Sequence, residues 1–215
     1  MHNVSDKTNS RISQERKEAL IKGTINSLAD KGVAGTTIST ICDASGSSRG
    51  LIAHYFGSKE ALLAQALKHV YSTVSLSIYK KMDKPELTAR ERLNLFPEAL
   101  FSRTVFTQKN RSVFLCLWHE TRFNKIIRTT NKNLYRGYVS RMEHLFYQAA
   151  IENTNDHDGL EEKSRAAAIG LISLSDGLWL GMSIHDGLIS STCAIDRCRE
   201  FVDSQFEKPG ANTDL

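Results

Sequence analysis

Proline is scarce, at three residues in 215, and the thirteen glycines are spread thinly. So few breakers exclude a loop-rich chain and favour long uninterrupted elements. No stretch alternates polar and apolar residues at period two for long enough to mark a strand. No apolar run is long enough to span a bilayer, and the opening residues MHNVSDKTNS lack an apolar signal region. Both absences point to a cytoplasmic protein. The cysteines, Cys42, Cys116, Cys193 and Cys198, make no CxxC pair and show no ligand spacing with histidine. Reduced, buried thiols are expected, and the spacing gives no support to a redox sensor. The seven histidines include no HExxH, and there is no Walker loop, dinucleotide fingerprint or GxSxG. No metal or cofactor is expected. An all-α enzyme, the remote alternative, has no clustered nucleophile, base or metal site to stand on.

The net charge of +4 is mild, but its distribution is uneven. Residues 103–141 hold nine Lys/Arg and one acid, Glu120, whereas residues 152–215 hold five Lys/Arg and twelve Asp/Glu. The basic stretch reads as solvated helix faces and partners for the acidic third, with a second nucleic-acid surface as the alternative.

The most informative stretch, from Thr36 to Leu63, reads TTISTICDASGSSRGLIAHYFGSKEALL. Thr37 is a good N-cap, with Ile38 and Ile41 following on one face. Gly46 can take the positive φ of a tight turn after the first helix. Ser48 can cap a short second helix carrying Ile52, Tyr55 and Phe56. Gly57 and Ser58 stop it and open a third, with Lys59 and Glu60 in its first turn. A short second helix reached through a three-residue turn is the geometry that lays a recognition helix in the major groove. The spacing alone also fits a generic αα-corner.

This stretch resembles the TetR family of repressors, whose signature runs roughly T-[VI]-x-x-I-A-x-x-A-G-V-S-x-G-x-[LI]-Y-x-[YH]-F-x-[SN]-K-x-x-L. Thr37, Ile38, Ile41, Gly46, Ser48, Gly50, Ile52, Tyr55, Phe56, Ser58, Lys59 and Leu62 match it. Cys42 and Ser45 stand where the pattern has alanine, Ser47 where it has valine and Ala53 where it has tyrosine. The resemblance implies an all-α chain. Residues 1–57 would form a helix-turn-helix DNA-binding domain and residues 58–215 a ligand-binding and dimerisation domain. By the same alignment Arg49, Gly50, Leu51 and Ala53 face bases, with Thr37 and Ser39 close by. Ser48, His54, Tyr55 and Lys59 face phosphates.

Residues 1–11 read as a flexible polar arm that could reach DNA through Arg11. Ile21, Ile25 and Leu28 give residues 12–31 a core-facing stripe that Gly32 ends. Long helices are expected over 58–82, 126–151 and 160–189, and shorter ones after Thr88, over 110–123 and over 194–207. The stretch 153–159, NTNDHDG, is a loop. The helix 58–82 would join head to body and transmit the signal. The last two helices of a TetR-like body build a dimeric four-helix bundle. Ala166, Ala167, Gly170, Ser173, Gly177 and Gly181 would let a partner helix approach, or would pack inside the protomer.

In LSDGLWL, Asp176 precedes Trp179 by three residues, so both share a helical face. Trp118 lies on another helix with Glu120 near it. Ring faces attract a quaternary ammonium ion, and a carboxylate supplies counter-charge without needing a donor on the ligand. The plain alternative is a core tryptophan beside a capped or paired Asp176. Together GLIAHYF and SDGLWL resemble the choline-responsive BetI-type branch of the same family. That resemblance implies a cytoplasmic homodimer that binds a palindromic operator in double-stranded DNA. It would repress genes converting choline to glycine betaine until choline releases it. Trp118, Asp176 and Trp179 would hold the cation, joined by Tyr135 or Tyr138. A TetR-like repressor answering another organic cation or a hydrophobic effector is the alternative.

Overall fold

The computed structural model describes residues 3–152, 157–185 and 187–206, with side chains from Ser10 onward. Among these residues there are helices and turns and no strand. In chain order the helices are α1 (Asn3–Gly35), α2 (Ile38–Ser45), α3 (Arg49–Phe56), α4 (Lys59–Met82), α5 (Ala89–Leu100), α6 (Gln108–Glu120), α7 (Lys125–Ile151), α8 (Leu160–Ile184) and α9 (Ser191–Ser204). Among the described residues most helices lie close to the spans the sequence suggests, but α1 starts nine residues before the expected 12–31 and α8 ends five before the expected 189. Residues 153–156 of the expected loop, and residue 207 of the expected last helix, lie outside the described residues.

The chain packs as two compact units, one of residues through Thr73 with Thr107–Leu134, the other of Val74–Phe106 with residues from Tyr135 onward. Helices α4 and α7 each contribute to both units.

In the first unit α1 buries Leu20, Ile25 and Leu28, and Gly32 breaks it with φ 64° before a last short turn to Gly35. The expected arm is instead helical from Asn3, because nothing between Asn3 and Lys31 interrupts the α1 register. Arg11 on that helix pairs with Glu15 one turn on, at 3.6 Å. Leu20 of α1 packs with Ile41 of α2, Ile52 of α3 and Leu62 of α4. A buried hydroxyl relay pins α1 to the start of α2: the Ser27 hydroxyl lies 3.3 Å from Thr36 Oγ1 and 3.0 Å from Thr40 Oγ1. Gly23 sits where α1 meets the end of α2, and a Cβ there would lie 2.7 Å from Ser45 Cβ. Ile38, expected on one face with Ile41, is 40% exposed, whereas Ile41 alone of α2 enters the core cluster. Helix α6 also packs on α1: Lys109 Nζ donates to Asn26 Oδ1 at 2.5 Å, and Cys116 Sγ reaches the Leu28 carbonyl at 3.8 Å.

In the second unit, Thr88 and Glu91 form a capping box at the start of α5. Helices α5 and α9 are tied by Arg90–Asp203 at 2.8 Å and by Arg199–Glu98. Arg141 of α7 reaches Asp83 at 2.5 Å and lies 3.9 Å from the centroid of the Tyr79 ring. Gly170 of α8 faces Phe201 of α9, where a Cβ would come within 2.5 Å of the ring, so this glycine serves packing inside the protomer. Gly177 faces open space.

Two readings of composition change. All four cysteines are free, but only Cys198 is buried, and Cys193 is exposed. Burial pushes the Cys198 thiol up to about 11. Helix α8 is long and apolar enough to cross a membrane by length and composition, although no single apolar run marks it. Its leucines, isoleucines and alanines raise the mean hydropathy around isolated serines and Asp176. Ile169, Leu180 and Ile184 of this helix are exposed, as is Leu188 beyond it.

Candidate DNA-reading surface and effector site

Four helix ends frame the recognition helix. The Thr37 hydroxyl accepts from the Thr40 amide, and the Thr37 amide donates in return to Thr40 Oγ1, which fixes the start of α2. Gly46 adopts φ 64° and closes α2, and Gly57 at φ 76° closes α3. Ser58 accepts from the Ala61 amide and starts α4. Ser48 stands at the N-cap of α3 but makes no side-chain capping bond, and it is exposed.

Helix α3 presses Ile52 into the core, with Leu51, Tyr55 and Phe56 half-buried around it. The spacing then turns Arg49, Gly50, Ala53 and His54 to solvent, with exposed Ser48 and Ser39 alongside. Thr37 is exposed and Lys59 half-buried at the flanks. A Cβ at Gly50 would meet nothing, so its bareness serves the outer surface and not the fold. Among the described residues Arg49 and Lys59 make no ion pair. One participant escaped the sequence reading: Lys17 of α1 holds its ammonium 5.4 Å from the Tyr55 ring centroid. Its partner is nearly forty residues away, so no local signal marks it.

The four effector candidates of the second unit are arranged around α7 and α8. Tyr135 hydrogen-bonds the Asp176 carboxylate. Desolvation lifts that carboxyl to about 6, the Tyr135 bond opposing the shift. The Tyr135 phenol is raised in turn, by burial first and by the adjacent carboxylate second. Asp176 makes no ion pair among the described residues. Tyr135 meets Tyr138 edge-on at 6.4 Å, and Tyr138 lies 6.0 Å from Phe96.

Trp179, one turn after Asp176, is 4% exposed. Phe106 stands perpendicular to it at 4.6 Å, and Phe101 lies tilted at 6.5 Å. These two phenylalanines were not singled out from the sequence, because they precede α6 in an irregular turn that no periodicity marks. Trp118 belongs to the first unit. It packs on Phe114 at 6.1 Å, which meets Tyr71 of α4 at 5.3 Å. It also lines an open groove of about 640 Å³ with Thr121, Phe123, Arg122 and Arg128. Glu120, expected near it as a counter-charge, lies 3.5 Å from His119 Nδ1. Among the described residues no group of His, Cys, Asp and Glu could hold a metal.

Residues 20–66 match the tetR family of bacterial regulatory proteins, and residues 89–207 match the BetI-type transcriptional repressor C-terminal domain. The chain is 25% identical over 192 residues to the HTH-type transcriptional regulator BetI of Burkholderia cenocepacia, covering 87% of this chain and 92% of that one. A transcriptional regulator from Pseudomonas aeruginosa PAO1 shares the fold with a TM-score of 0.78 and 29% identity, over 89% of this chain and 90% of that one. A regulator from Saccharomonospora viridis, solved in complex with choline, superposes with a TM-score of 0.69 at 21% identity, over 89% and 95% of the two chains. With a helix-turn-helix head that matches one half of the family's architecture and a body that matches the other, this chain belongs to the TetR family of transcription regulators, in its BetI-type repressor branch.

Proposed function

We propose that the chain is a cytoplasmic, dimeric repressor that binds a palindromic operator through α3 and is released by choline or a similar quaternary ammonium ion. The genes it controls would then convert choline to glycine betaine. The observation that carries the effector reading is Asp176. Its carboxylate is half-buried, is bonded by a tyrosine hydroxyl, and has no cationic side chain to neutralise it among the described residues. Such a group costs stability until a cation arrives. Trp179, one turn along, supplies the aromatic surface that favours a cation with no hydrogen to donate. The likeness to BetI regulators and to the choline-bound regulator agrees with this reading.

A hydrophobic effector is the competing reading, favoured by the enclosure of Trp179 between Phe101 and Phe106. The Trp118 groove, lined by Arg122 and Arg128, also disfavours a cation at that ring face. Calorimetry with choline, glycine betaine and 3,3-dimethylbutanol, the uncharged isostere of choline, separates them. Choline should bind and the isostere should not. Equal binding of the isostere would remove the cation site. A gel shift on the DNA upstream of the chain's own gene, with and without choline, tests the regulatory half.

A further inference from the structure

Trp179 cannot receive a ligand as it stands. A cation gains from a ring when it lies within about 6 Å of the centroid. With Trp179 4% exposed, that space is already occupied, and Phe101 and Phe106 are the aromatic rings recorded against it. One of them has to yield. Phe101 is 3% exposed at the end of α5, where its amide bonds the Pro97 carbonyl. Phe106 is half-buried and lies outside any helix, held locally by its amide to the Ser102 carbonyl at 2.8 Å. Of the two rings it is the less buried.

Its position along the chain gives that movement a consequence. The next residue, Thr107, is the N-cap of α6, its hydroxyl accepting from the Asn110 amide at 3.1 Å. Two residues further on, Lys109 bonds Asn26 of α1, and Leu28 of α1 is met by Cys116 of α6. Helix α1 in turn carries Leu20 of the helix-turn-helix core and Gly23, which sits against the end of α2.

We infer that Phe106 is the gate of the effector site, occupying the face of Trp179 that a quaternary ammonium takes, and that its displacement is passed through the start of α6 to α1. This inference rests on the cation reading of Asp176 and Trp179. It differs from transmission along α4, because the moving part is a side chain one residue before α6. It also assigns Phe106 the opposite sign from a ring that merely walls the site.

The test measures choline binding by calorimetry, and operator affinity with and without choline, for wild type, Phe106→Ala and Phe106→Leu. Thermal unfolding identifies any variant that fails to fold. Removing the gate removes the cost of opening, so Phe106→Ala should bind choline on the order of tenfold more tightly. It should hold the operator without choline yet release it far less when choline is added. Phe106→Leu, which keeps bulk, should fall between and covers the case of an unfolded alanine variant. Weaker choline binding in both variants would make Phe106 a wall and overturn the gate. Unchanged binding with an intact response would make it a bystander. Wild type that binds no quaternary ammonium ends the cation reading and the gate with it, whereas wild-type binding with either adverse variant result removes the gate alone.

Discussion

Arg49 is the only residue among Arg49, Gly50, Leu51 and Ala53 with a long hydrogen-bonding side chain, so guanine is the base it can read bidentately. Arg49→Ala should cost roughly 1–3 kcal/mol of operator binding and relax preference at one base pair, measured by gel shift on single-base operator variants. Lys59→Ala should weaken every sequence alike and lower the salt slope by about one ion. An unchanged slope would take Lys59 off the phosphate backbone. Asp176 predicts a pH signature. Its folded pKa of about 6 lies above the ordinary value of 3.8, so the native state binds the proton more tightly than the unfolded chain. Stability should therefore fall as pH rises from about 4 to about 6, by up to roughly 3 kcal/mol, and stay low above that. Asp176→Asn keeps an acceptor for Tyr135 and should flatten the slope in pH-dependent denaturant melts. Choline affinity should drop about tenfold per pH unit below 6, since the proton competes with the cation. Binding that is flat from pH 5 to 8 would show that the carboxylate takes no part.

At the scale of elements, the recognition helix owes its placement to contacts with α1. Helix α3 has only eight residues, too short to persist alone, so the Leu20–Ile41–Ile52–Leu62 cluster must hold it. Gly23→Val would force α1 and α2 apart against a backbone nitrogen 3.0 Å from its Cβ. The expected loss is about 1–3 kcal/mol in melts, with a larger relative loss of operator binding. Normal stability and binding would show that α2 gives way without moving α3. The caps of these helices were readable from Thr37, Gly46 and Thr88, because capping is local chemistry. Ser48 matched the same rule and makes no capping bond, since residue type fixes what a cap can do and not which way its hydroxyl turns.

At the scale of the molecule, helix α8 leaves Ile169, Leu180 and Ile184 exposed along one side, where Gly177 has open space beside it. The proposed C2 dimer would cover that side and bring two α3 helices to half-sites about 34–36 Å apart. Leu180→Glu should split the dimer in analytical ultracentrifugation and reduce operator binding steeply. A monomeric wild type that binds the operator tightly would overturn this assembly. Gly170 is the wrong place for that test, because a side chain there would strike Phe201 within the same protomer.

The sequence by itself determined most of the helix spans among the described residues, the turn at Gly46, the signature from Thr37 to Leu62 and the pairing of Asp176 with Trp179 on one face. Each depends on spacing or on residue type within a few positions, which the chain displays directly. Tertiary structure alone decided which partners those residues take. It set Tyr135 on Asp176, Lys17 over Tyr55, Phe106 against Trp179 and α6 on α1, all between segments distant in sequence. It also divided the small residues of α8, giving Gly170 to Phe201 and leaving Gly177 open. Helical period says which residues share a face; only packing says what that face meets, because the energy of burial depends on the neighbour and not on the spacing.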